Sequence, residues 1–282
     1  MADNRQTQES CSHDCSSCGS SCPSKDGGAH GGHEKLNEHS SVKKVVAVVS
    51  GKGGVGKSMV TALSAVTANR NGYKVGVMDA DITGPSIPKM FGIHHKAYGS
   101  EIGIIPGKSA SEIKVMSLNL LTENESDPVV WRGPVIAGAV TQFWTDVAWG
   151  DLDVMFIDMP PGTGDVPLTV FQSLPIDGII VVTSPQELVS MIVEKAVKMA
   201  RMMNIPIIGI VENMSYFKCP CCNEELSIFG ESDLPYISRK FGLTNVAKIP
   251  LNKNIPEMVD EGEAEKLDTD YLSDILDSIE KL

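Results

Sequence analysis

The chain has 282 residues, of which 42% are hydrophobic, and its 36 acidic and 24 basic side chains give a formal net charge of −12. No apolar run approaches the roughly 18 residues that a membrane-spanning helix needs, and the polar first residues do not resemble a secretory signal. The acidic balance argues against non-specific nucleic-acid binding, and seven cysteines without a signal peptide favour the cytoplasm and metal or redox chemistry. We therefore expect a cytoplasmic protein with no nucleic-acid or membrane partner.

Residues 1–41 are rich in Ser, Gly, His and Cys and have little apolar periodicity. Such a segment buries too little apolar surface to offset the entropy of ordering it, so we predict a disordered tail before one folded domain at 42–282. The tail holds four thiols, enough to complete one metal site: Cys11, Cys15, Cys18 and Cys22. An Fe–S cluster, a zinc ion and a merely redox-sensitive tail are all open interpretations of these cysteines.

Short β-rich runs alternate with helical stretches in the rest of the chain. The predicted strands are 42–50, 73–79, 113–118, 153–158, 178–184, 205–211 and 245–251. The predicted helices are 57–70, 134–148, 186–203, 233–241 and 269–281. This alternation predicts an α/β fold with a doubly wound, mostly parallel sheet, whose ligands bind at the carboxyl ends of the strands.

The sequence GKGGVGKS lies between the first predicted strand and the first predicted helix, and it fits the phosphate-loop pattern without a mismatch. Its glycines let backbone N–H groups turn toward phosphate oxygens, and the helix N-terminus adds a partial positive charge. We expect Lys57 to reach the β- and γ-phosphates of a nucleotide and the Ser58 hydroxyl to coordinate Mg²⁺. The predicted nucleotide-binding residues of this loop are Gly51, Lys52, Gly53, Gly54, Val55, Gly56, Lys57 and Ser58.

The early lysine of this loop, Lys52, makes it resemble the deviant Walker motif of a group of dimeric P-loop ATPases. In that group the lysine reaches across the dimer interface to the nucleotide of the partner. The resemblance therefore implies a homodimer and a catalytic role in trans for Lys52. The alternative is that Lys52 is only a solvated loop residue.

Later strand ends resemble other phosphate-facing segments of the same group. The segment that ends in Asp81 resembles switch I, in which this carboxylate would orient the attacking water. Asp158 and the MPPGTGD sequence around it resemble Walker B and switch II, in which the aspartate would hold Mg²⁺. Asn213 matches the place where the group contacts adenine, and an ordinary turn asparagine is the alternative.

Cys219 and Cys222 have CxxC spacing after a further strand end. Two thiolates cannot close the site, because Zn²⁺ and a [4Fe–4S] cluster each take four ligands. A two-fold dimer would supply the other two, and the phosphate loop implies the same assembly. A structural zinc site and a redox pair are the alternatives, and Cys221 adds a third thiol that could exchange as a ligand or be oxidised.

The chain resembles the Mrp-type iron–sulfur cluster carrier ATPases over about residues 42–265. The resemblance rests on six segments: GKGGVGKS, DADITGPSIP, VVWRGP, DMPPGTGD, ENMSYFKCPCC and IPLNKNIPEMVDEG. It implies a labile [4Fe–4S] cluster that Cys219 and Cys222 hold between two subunits, with ATP and Mg²⁺ as further cofactors. The cluster would be transferred to apo iron–sulfur proteins, coupled to ATP binding or hydrolysis. Asn223 departs from the family pattern, in which a glycine is common.

Two other classes of function share parts of this pattern. A MinD- or ParA-like positioning ATPase would need a basic DNA-binding surface or a cationic C-terminal helix, whereas residues 255–282 carry ten acidic and two basic side chains. A zinc-stabilised interaction module that uses the nucleotide only as a switch would contain zinc in place of iron and sulfide.

Overall fold

The computed structural model describes residues 33–82, 84–122, 133–162, 164–185 and 189–282. These residues belong to one compact unit that begins at His33. The predictions for the tail therefore lie almost entirely outside the described residues, as do the four tail cysteines (Cys11, Cys15, Cys18 and Cys22). None of the described helices has the length and apolar character needed to cross a bilayer.

The described elements alternate between strand and helix along most of the chain. The strands are β1 (Ser41–Ser50), β2 (Val75–Asp79), β3 (Tyr98–Ser100), β4 (Gly103–Ile105), β5 (Gly107–Lys108), β6 (Lys114–Met116), β7 (Asp151–Asp158), β8 (Gly178–Thr183), β9 (Ile207–Glu212), β10 (Phe217–Lys218), β11 (Glu225–Leu226) and β12 (Val246–Lys248). The helices are α1 (Lys57–Arg70), α2 (Ile87–Met90), α3 (Gly133–Thr145), α4 (Asp165–Ser173), α5 (Val189–Met202), α6 (Leu234–Phe241), α7 (Asn254–Asp260) and α8 (Ser273–Glu280).

The main sheet confirms the predicted α/β architecture. Within the described part of the chain its strand order is β12-β9-β8-β1-β7-β2-β6-β5, and every neighbouring pair is parallel except β5 with β6. Pairing of Asp79 with Asp158 and of Thr183 with Glu212 aligns the ends of four strands. Polar side chains that follow these strands therefore meet along one edge of the sheet.

The central strands are buried on both faces, which is why they read as continuous apolar runs. Alternate residues of β1 enter two different core clusters: Val45, Ala47 and Val49 face one side, and Val46 and Val48 face the other. Helices α3, α4, α5 and α6 cover the first side, and α1, α2, α7 and α8 cover the second. The strand ends are thus held from both faces, which positions the edge that carries the site.

The segment that precedes β1 packs on the domain, upstream of the boundary that composition indicates. The backbone N–H of Glu34 donates to Ser173 O at 2.8 Å, and Trp144 Nε1 donates to Glu34 O at 3.0 Å. Leu36 packs against the core cluster between α3 and the sheet. Composition does not reveal this packing, because most of the contacts use backbone groups that every residue carries.

Three helices that the sequence analysis omits share one feature. Helices α2, α4 and α7 each carry a proline in the first turn, namely Pro88, Pro167 and Pro256. Proline breaks a helix interior but is tolerated in the first turn, where its missing N–H would have no intrahelical partner. The predicted helix 269–281 is also divided, into a 3₁₀ turn at Asp270–Leu272 followed by α8.

We predict that Gly209→Ala lowers the free energy of unfolding by about 1–3 kcal/mol. A Cβ at this buried position of β9 would overlap Ile275 Cδ1 and lie 2.9 Å from the backbone oxygen of Asn245, which cannot move as a side chain can. Gly138→Ala is the matched control, because no atom lies within 4 Å of its Cβ position on α3 apart from neighbouring residues and the backbone of the helix itself. It should leave stability unchanged or raise it by up to about 1 kcal/mol in chemical denaturation. Equal stability of the two variants would contradict the packing at Gly209.

Candidate functional site

The phosphate loop, residues 51–58, joins the end of β1 to the start of α1. Gly54 and Gly56 have φ values of 80° and 82°, a region that L side chains rarely adopt. A Cβ on Gly56 would also overlap the side-chain nitrogen of Asn213. Glycine is therefore required at residue 56 both by backbone conformation and by close packing, and the loop turns directly into the N-terminus of α1.

A buried charge cluster lies beneath this loop. Lys57 Nζ is 2.7 Å from Asp158 Oδ1 and 3.6 Å from Asp81 Oδ2, and only 6% of the lysine side chain is exposed. Ser58 Oγ donates to Asp158 Oδ2 at 2.6 Å, and Thr61 Oγ1 donates to Asp158 Oδ1 at 2.8 Å. The fold thus brings together Lys57, Ser58, Asp81 and Asp158, as the strand ends predict, while their individual roles stay predictions.

Thr61 is a site residue that the sequence analysis missed. Its hydroxyl lies one turn of α1 after Lys57 and donates to the same carboxylate as the lysine. The spacing of four residues from Lys57 is the signal that could have found it, because residues four apart share one face of a helix.

Asp79 is a second missed residue, and it anchors the segment that carries Asp81. Its buried carboxyl oxygens accept backbone hydrogen bonds from Asp81 at 3.2 Å, Ser86 at 3.1 Å and Ile87 at 3.3 Å. The Ser117 hydroxyl donates to it at 3.1 Å. Burial raises the pKa of Asp79 to about 8, with the charge of Asp158 adding to the rise. The sequence signal that could have identified Asp79 is the presence of an aspartate at the end of an apolar strand.

Two adjoining clefts open above the loop and differ in polarity. One of about 260 Å³ includes the charged and polar side chains of Lys57, Ser58 and Asp81 in its lining. The other, of about 250 Å³, is mainly apolar and is lined by Met59, Asn213, Met214, Pro250, Leu251, Ile255 and others. They share Gly54, Gly56 and Met59. A cleft that contains a lysine and a carboxylate, adjoining one that is almost entirely apolar, fits a phosphate chain joined to a flat heteroaromatic base.

Asn213 lies against the phosphate loop at the wall of the apolar cleft. Its side-chain nitrogen donates to Val55 O at 3.0 Å, and its side-chain oxygen accepts from the backbone N–H of Met214 at 2.9 Å. The amide therefore fixes the loop and a turn while also facing the cleft. The predicted contact of Asn213 with adenine stays a prediction. The alternative, an ordinary turn asparagine, agrees with the bond from its side-chain oxygen to the Met214 N–H.

Two loop contacts tie neighbouring phosphate-facing segments to the end of β1. The backbone oxygen of Lys52 accepts a hydrogen bond from Ser50 Oγ at 3.0 Å, and its side chain is half-buried. The backbone N–H of Gly162, in the segment that resembles switch II, donates to Ser50 O at 2.8 Å. Both segments are therefore hydrogen-bonded to the same residue at the end of β1.

The cysteine hairpin, residues 217–226, extends from the same edge of the sheet. Strands β10 and β11 are antiparallel, and the backbone N–H of Cys219 donates to Glu224 O at 2.9 Å while that of Asn223 donates to Cys219 O at 2.9 Å. Asn223 has φ = 59°. Asparagine tolerates this left-handed conformation better than most residues, which explains physically how it can stand where the family commonly has glycine.

The thiols of this hairpin are at least partly exposed, and the pKa of one of them is lowered. Cys219 is half-buried, and Cys221 and Cys222 are exposed. Backbone N–H groups of Cys221 and Cys222 hydrogen-bond to the Cys219 sulfur and lower its pKa. The thiolate is the form that binds metal. Across the described residues, no three or more His, Cys, Asp or Glu side chains are arranged to hold a metal ion.

An exposed apolar surface follows these cysteines. Leu226, Ile228 and Phe229 have 43%, 55% and 43% of their surface exposed. Three large apolar side chains within four residues of one another are unusual on a free surface, and such patches mark interaction sites. These three exposed side chains follow the cysteines within seven residues of Cys222 along the chain.

Comparison with known proteins identifies relatives of the whole domain. The family model described as ParA, NUBPL iron-transfer P-loop NTPase, matches residues 41–281. A Clostridium perfringens protein named iron–sulfur cluster carrier protein is 43% identical, over 89% of this chain and 93% of the relative. A nucleotide-binding protein from Archaeoglobus fulgidus, solved in complex with ADP, is 42% identical with a TM-score of 0.75 and covers 82% of this chain and 91% of that one. The cell-division ATPase MinD of Pyrococcus furiosus shares the fold at 19% identity, with a TM-score of 0.59 over 85% of this chain and 99% of its own.

We predict that Lys57→Met abolishes nucleotide binding and lowers the free energy of unfolding by about 3 kcal/mol, because it leaves the fully buried Asp158 without its cation. Lys43→Met is the matched control, since Lys43 Nζ lies at the same 2.7 Å from Asp153 but the lysine side chain is 72% exposed. Solvent screens that pair, so the control should keep wild-type stability and nucleotide affinity. Chemical denaturation and titration with a fluorescent ADP analogue measure both effects. Equal loss of stability in the two variants would contradict the role of burial.

Proposed function

The chain belongs to the ParA family of NUBPL iron-transfer P-loop NTPases, and on that premise we propose that it binds an iron–sulfur cluster and transfers it to apoproteins under the control of ATP. The observation that carries the proposal is the position of the two sites. The phosphate loop and the cysteine hairpin extend from one edge of the same sheet, and Asn213 contacts the loop only six residues before Cys219.

The nucleotide site has the groups that ATP binding and hydrolysis require. Lys57 and the loop amides would bind the phosphates, and a phosphate chain would compete with Asp158 for the lysine. Ser58 and Asp158 offer two oxygen ligands of the kind that Mg²⁺ prefers, with 2.6 Å between the hydroxyl and the carboxylate. Mg²⁺ bound there would neutralise charge on the phosphate oxygens. Asp81 would orient the attacking water, because Asp79 holds its backbone beside Lys57.

Hydrolysis would need a second copy of the chain. Lys52, at the start of the phosphate loop, would reach the nucleotide of the partner and stabilise charge that develops on its phosphates. Resemblance of the GKGGVGKS loop to that of dimeric ATPases supports this role. The ATPase activity would then depend on protein concentration, since a monomer lacks half of each catalytic site.

The cluster is proposed as cargo held between the two subunits. Cys219 and Cys222 from each protomer would provide four thiolates for a [4Fe–4S] cluster. The lowered pKa of Cys219 and the exposure of Cys222 support ligation, and the apolar surface at Leu226, Ile228 and Phe229 supports a contact between protomers. The recipients would be apo iron–sulfur proteins, which offer free cysteines to accept the cluster.

A zinc-stabilised interaction module is the second candidate, because the same hairpin geometry suits Zn²⁺. Metal analysis of protein purified without oxygen separates the two. Iron with acid-labile sulfide supports the carrier, and one zinc per dimer supports the module. A positioning ATPase gains no support from the C-terminal segment, where ten acidic side chains oppose two basic ones.

We predict that Cys219→Ser/Cys222→Ser loses the bridging cluster after anaerobic reconstitution, because two of four thiolate ligands disappear from each protomer. Cys221→Ser should keep it. Iron and sulfide per dimer are measured in full-length protein in which the four tail cysteines are also replaced by serine, so that a tail cluster does not contribute. An unchanged iron content in the double variant would refute the assignment of these ligands.

We predict that Lys52→Ala binds ATP but does not hydrolyse it, because the partner's phosphates lose a cation in the transition state. Lys57→Met should also be inactive, since it cannot hold the nucleotide. Mixing the two inactive variants should restore phosphate release. The mixed dimer contains one intact site, formed by the loop of the Lys52→Ala protomer and the Lys52 of its partner. Failure of the mixture to hydrolyse ATP would argue that Lys52 acts within its own subunit.

A further inference from the structure

The cysteine hairpin is joined to the main sheet by two short stems. Within the described residues, β10 and β11 pair only with each other, so the orientation of the hairpin depends on these stems. The entry stem, residues 213–216, leads from β9 into the hairpin. The return stem, residues 227–233, leads from the hairpin to α6.

Both stems meet the side chain of Glu212, the last residue of β9. This glutamate is 1% exposed. One carboxylate oxygen accepts from Ser215 Oγ on the entry stem at 2.5 Å, and the other accepts from Ser232 Oγ on the return stem at 2.9 Å. These partners are neutral hydroxyls, which compensate the burial of a carboxylate less well than a cation would. A buried acid placed between the two ends of a loop fixes one end relative to the other.

The backbone of Glu212 is held in the sheet. It lies opposite Thr183 of β8 and Lys248 of β12 in the strand register. Its carbonyl oxygen also accepts from the backbone N–H of Ile249 at 3.0 Å. Glu212 is therefore a fixed point against which the stems can shift.

The entry stem also forms part of the nucleotide cleft. It begins at Asn213, which lines the apolar cleft and bonds to the phosphate loop. The segment after β12, which supplies Pro250 and Leu251 to the cleft, is bonded to the same stem, because the N–H of Ser215 donates to Ile249 O at 2.9 Å and that of Leu251 donates to Tyr216 O at 2.7 Å. The stem that leads to Cys219 thus contributes Asn213 to the cleft and is hydrogen-bonded to a second segment that lines it.

We propose that Glu212 is the positioning residue that links occupancy of the nucleotide cleft to the orientation of the cysteine hairpin. A base that enters between Asn213 and Leu251 shifts the entry stem against the fixed end of β9. The carboxylate, shared by Ser215 and Ser232, passes that shift to the return stem, so that the hairpin moves as one body. This inference rests on the proposed function and adds the contact through which the nucleotide acts on the cluster ligands.

The link can be measured without a cluster, from the reactivity of the thiols in the full-length apoprotein. Alkylation of Cys219 and Cys222 by iodoacetamide is followed by peptide mass spectrometry with and without Mg·ADP. In the wild type we expect the nucleotide to change the rate constants by at least about twofold, as for couplings at the lower end of the usual range. In Glu212→Ala this dependence should disappear, while affinity for Mg·ADP stays at the wild-type value because the phosphate loop is intact.

Three further variants separate positioning from stability. Ser232→Ala removes the bond from the return stem to Glu212, together with the longer bond of 3.3 Å that Ser232 Oγ accepts from the backbone N–H of Leu234. It should also abolish the nucleotide dependence, even where Glu212→Ala does not fold. Ser227→Ala, on the same stem but exposed, should retain it. Glu212→Gln should restore most of it, because an amide can accept from one hydroxyl and donate to the other.

The proposal is overturned if the wild-type thiols do not respond to Mg·ADP, or if folded Ser232→Ala responds as the wild type does. Iron and sulfide loading of the wild type is measured in parallel. Absence of iron and sulfide from the wild type would count against the carrier function. The alkylation result tests the link through Glu212 separately.

Discussion

The buried carboxylate of Asp158 is the charge on which the nucleotide site depends. Its two oxygens accept from Lys57, Ser58 and Thr61, which all lie in the first turns of α1. A fully buried carboxylate is costly unless such partners surround it, so the end of β7 and the start of α1 cannot separate without losing these bonds. These bonds therefore restrain the C-terminal end of the phosphate loop, which connects β1 to α1.

Burial of the sheet on both faces extends this constraint along the edge. Because α1 lies on one side and α3 to α5 on the other, the ends of β1, β7, β8 and β9 keep their register. Asp79 then fixes the segment of Asp81, and Glu212 fixes the stems of the cysteine hairpin. Each buried acid at a strand end thus anchors a different surface segment to the same edge of the sheet.

Sequence patterns predicted the parts of this arrangement that depend on local order. The loop at 51–58, the central strands and α1 follow from glycine spacing, apolar runs and helical periodicity, and the structure agrees closely with their bounds. Helices α2, α4 and α7 were missed; each carries a proline in its first turn, although α6, which was predicted, carries one too. The packing of Leu36 and the hydrogen bonds of Asp79, Thr61 and Glu212 were missed for another reason. They join residues that only the folded chain brings together. Local signals exist for Thr61, four residues after Lys57, and for Asp79, at the end of an apolar strand, but neither signal identifies the hydrogen-bond partner.

The contrast between the paired main sheet and the separate hairpin gives a physical reason for a cluster site on this hairpin. A cluster that must be both held and released needs ligands on an element that can move, yet the movement must follow the state of the nucleotide. The hairpin lies outside the main sheet, so it can change orientation without breaking the strand pairing of the core. Its entry stem nevertheless contributes Asn213 to the apolar cleft and is hydrogen-bonded to the segment of Leu251, which also lines it. Under the proposed function, mobility of the ligands and control by the nucleotide would both arise from the same short segment, residues 213–216, and a dimer would bring two such segments to one cluster.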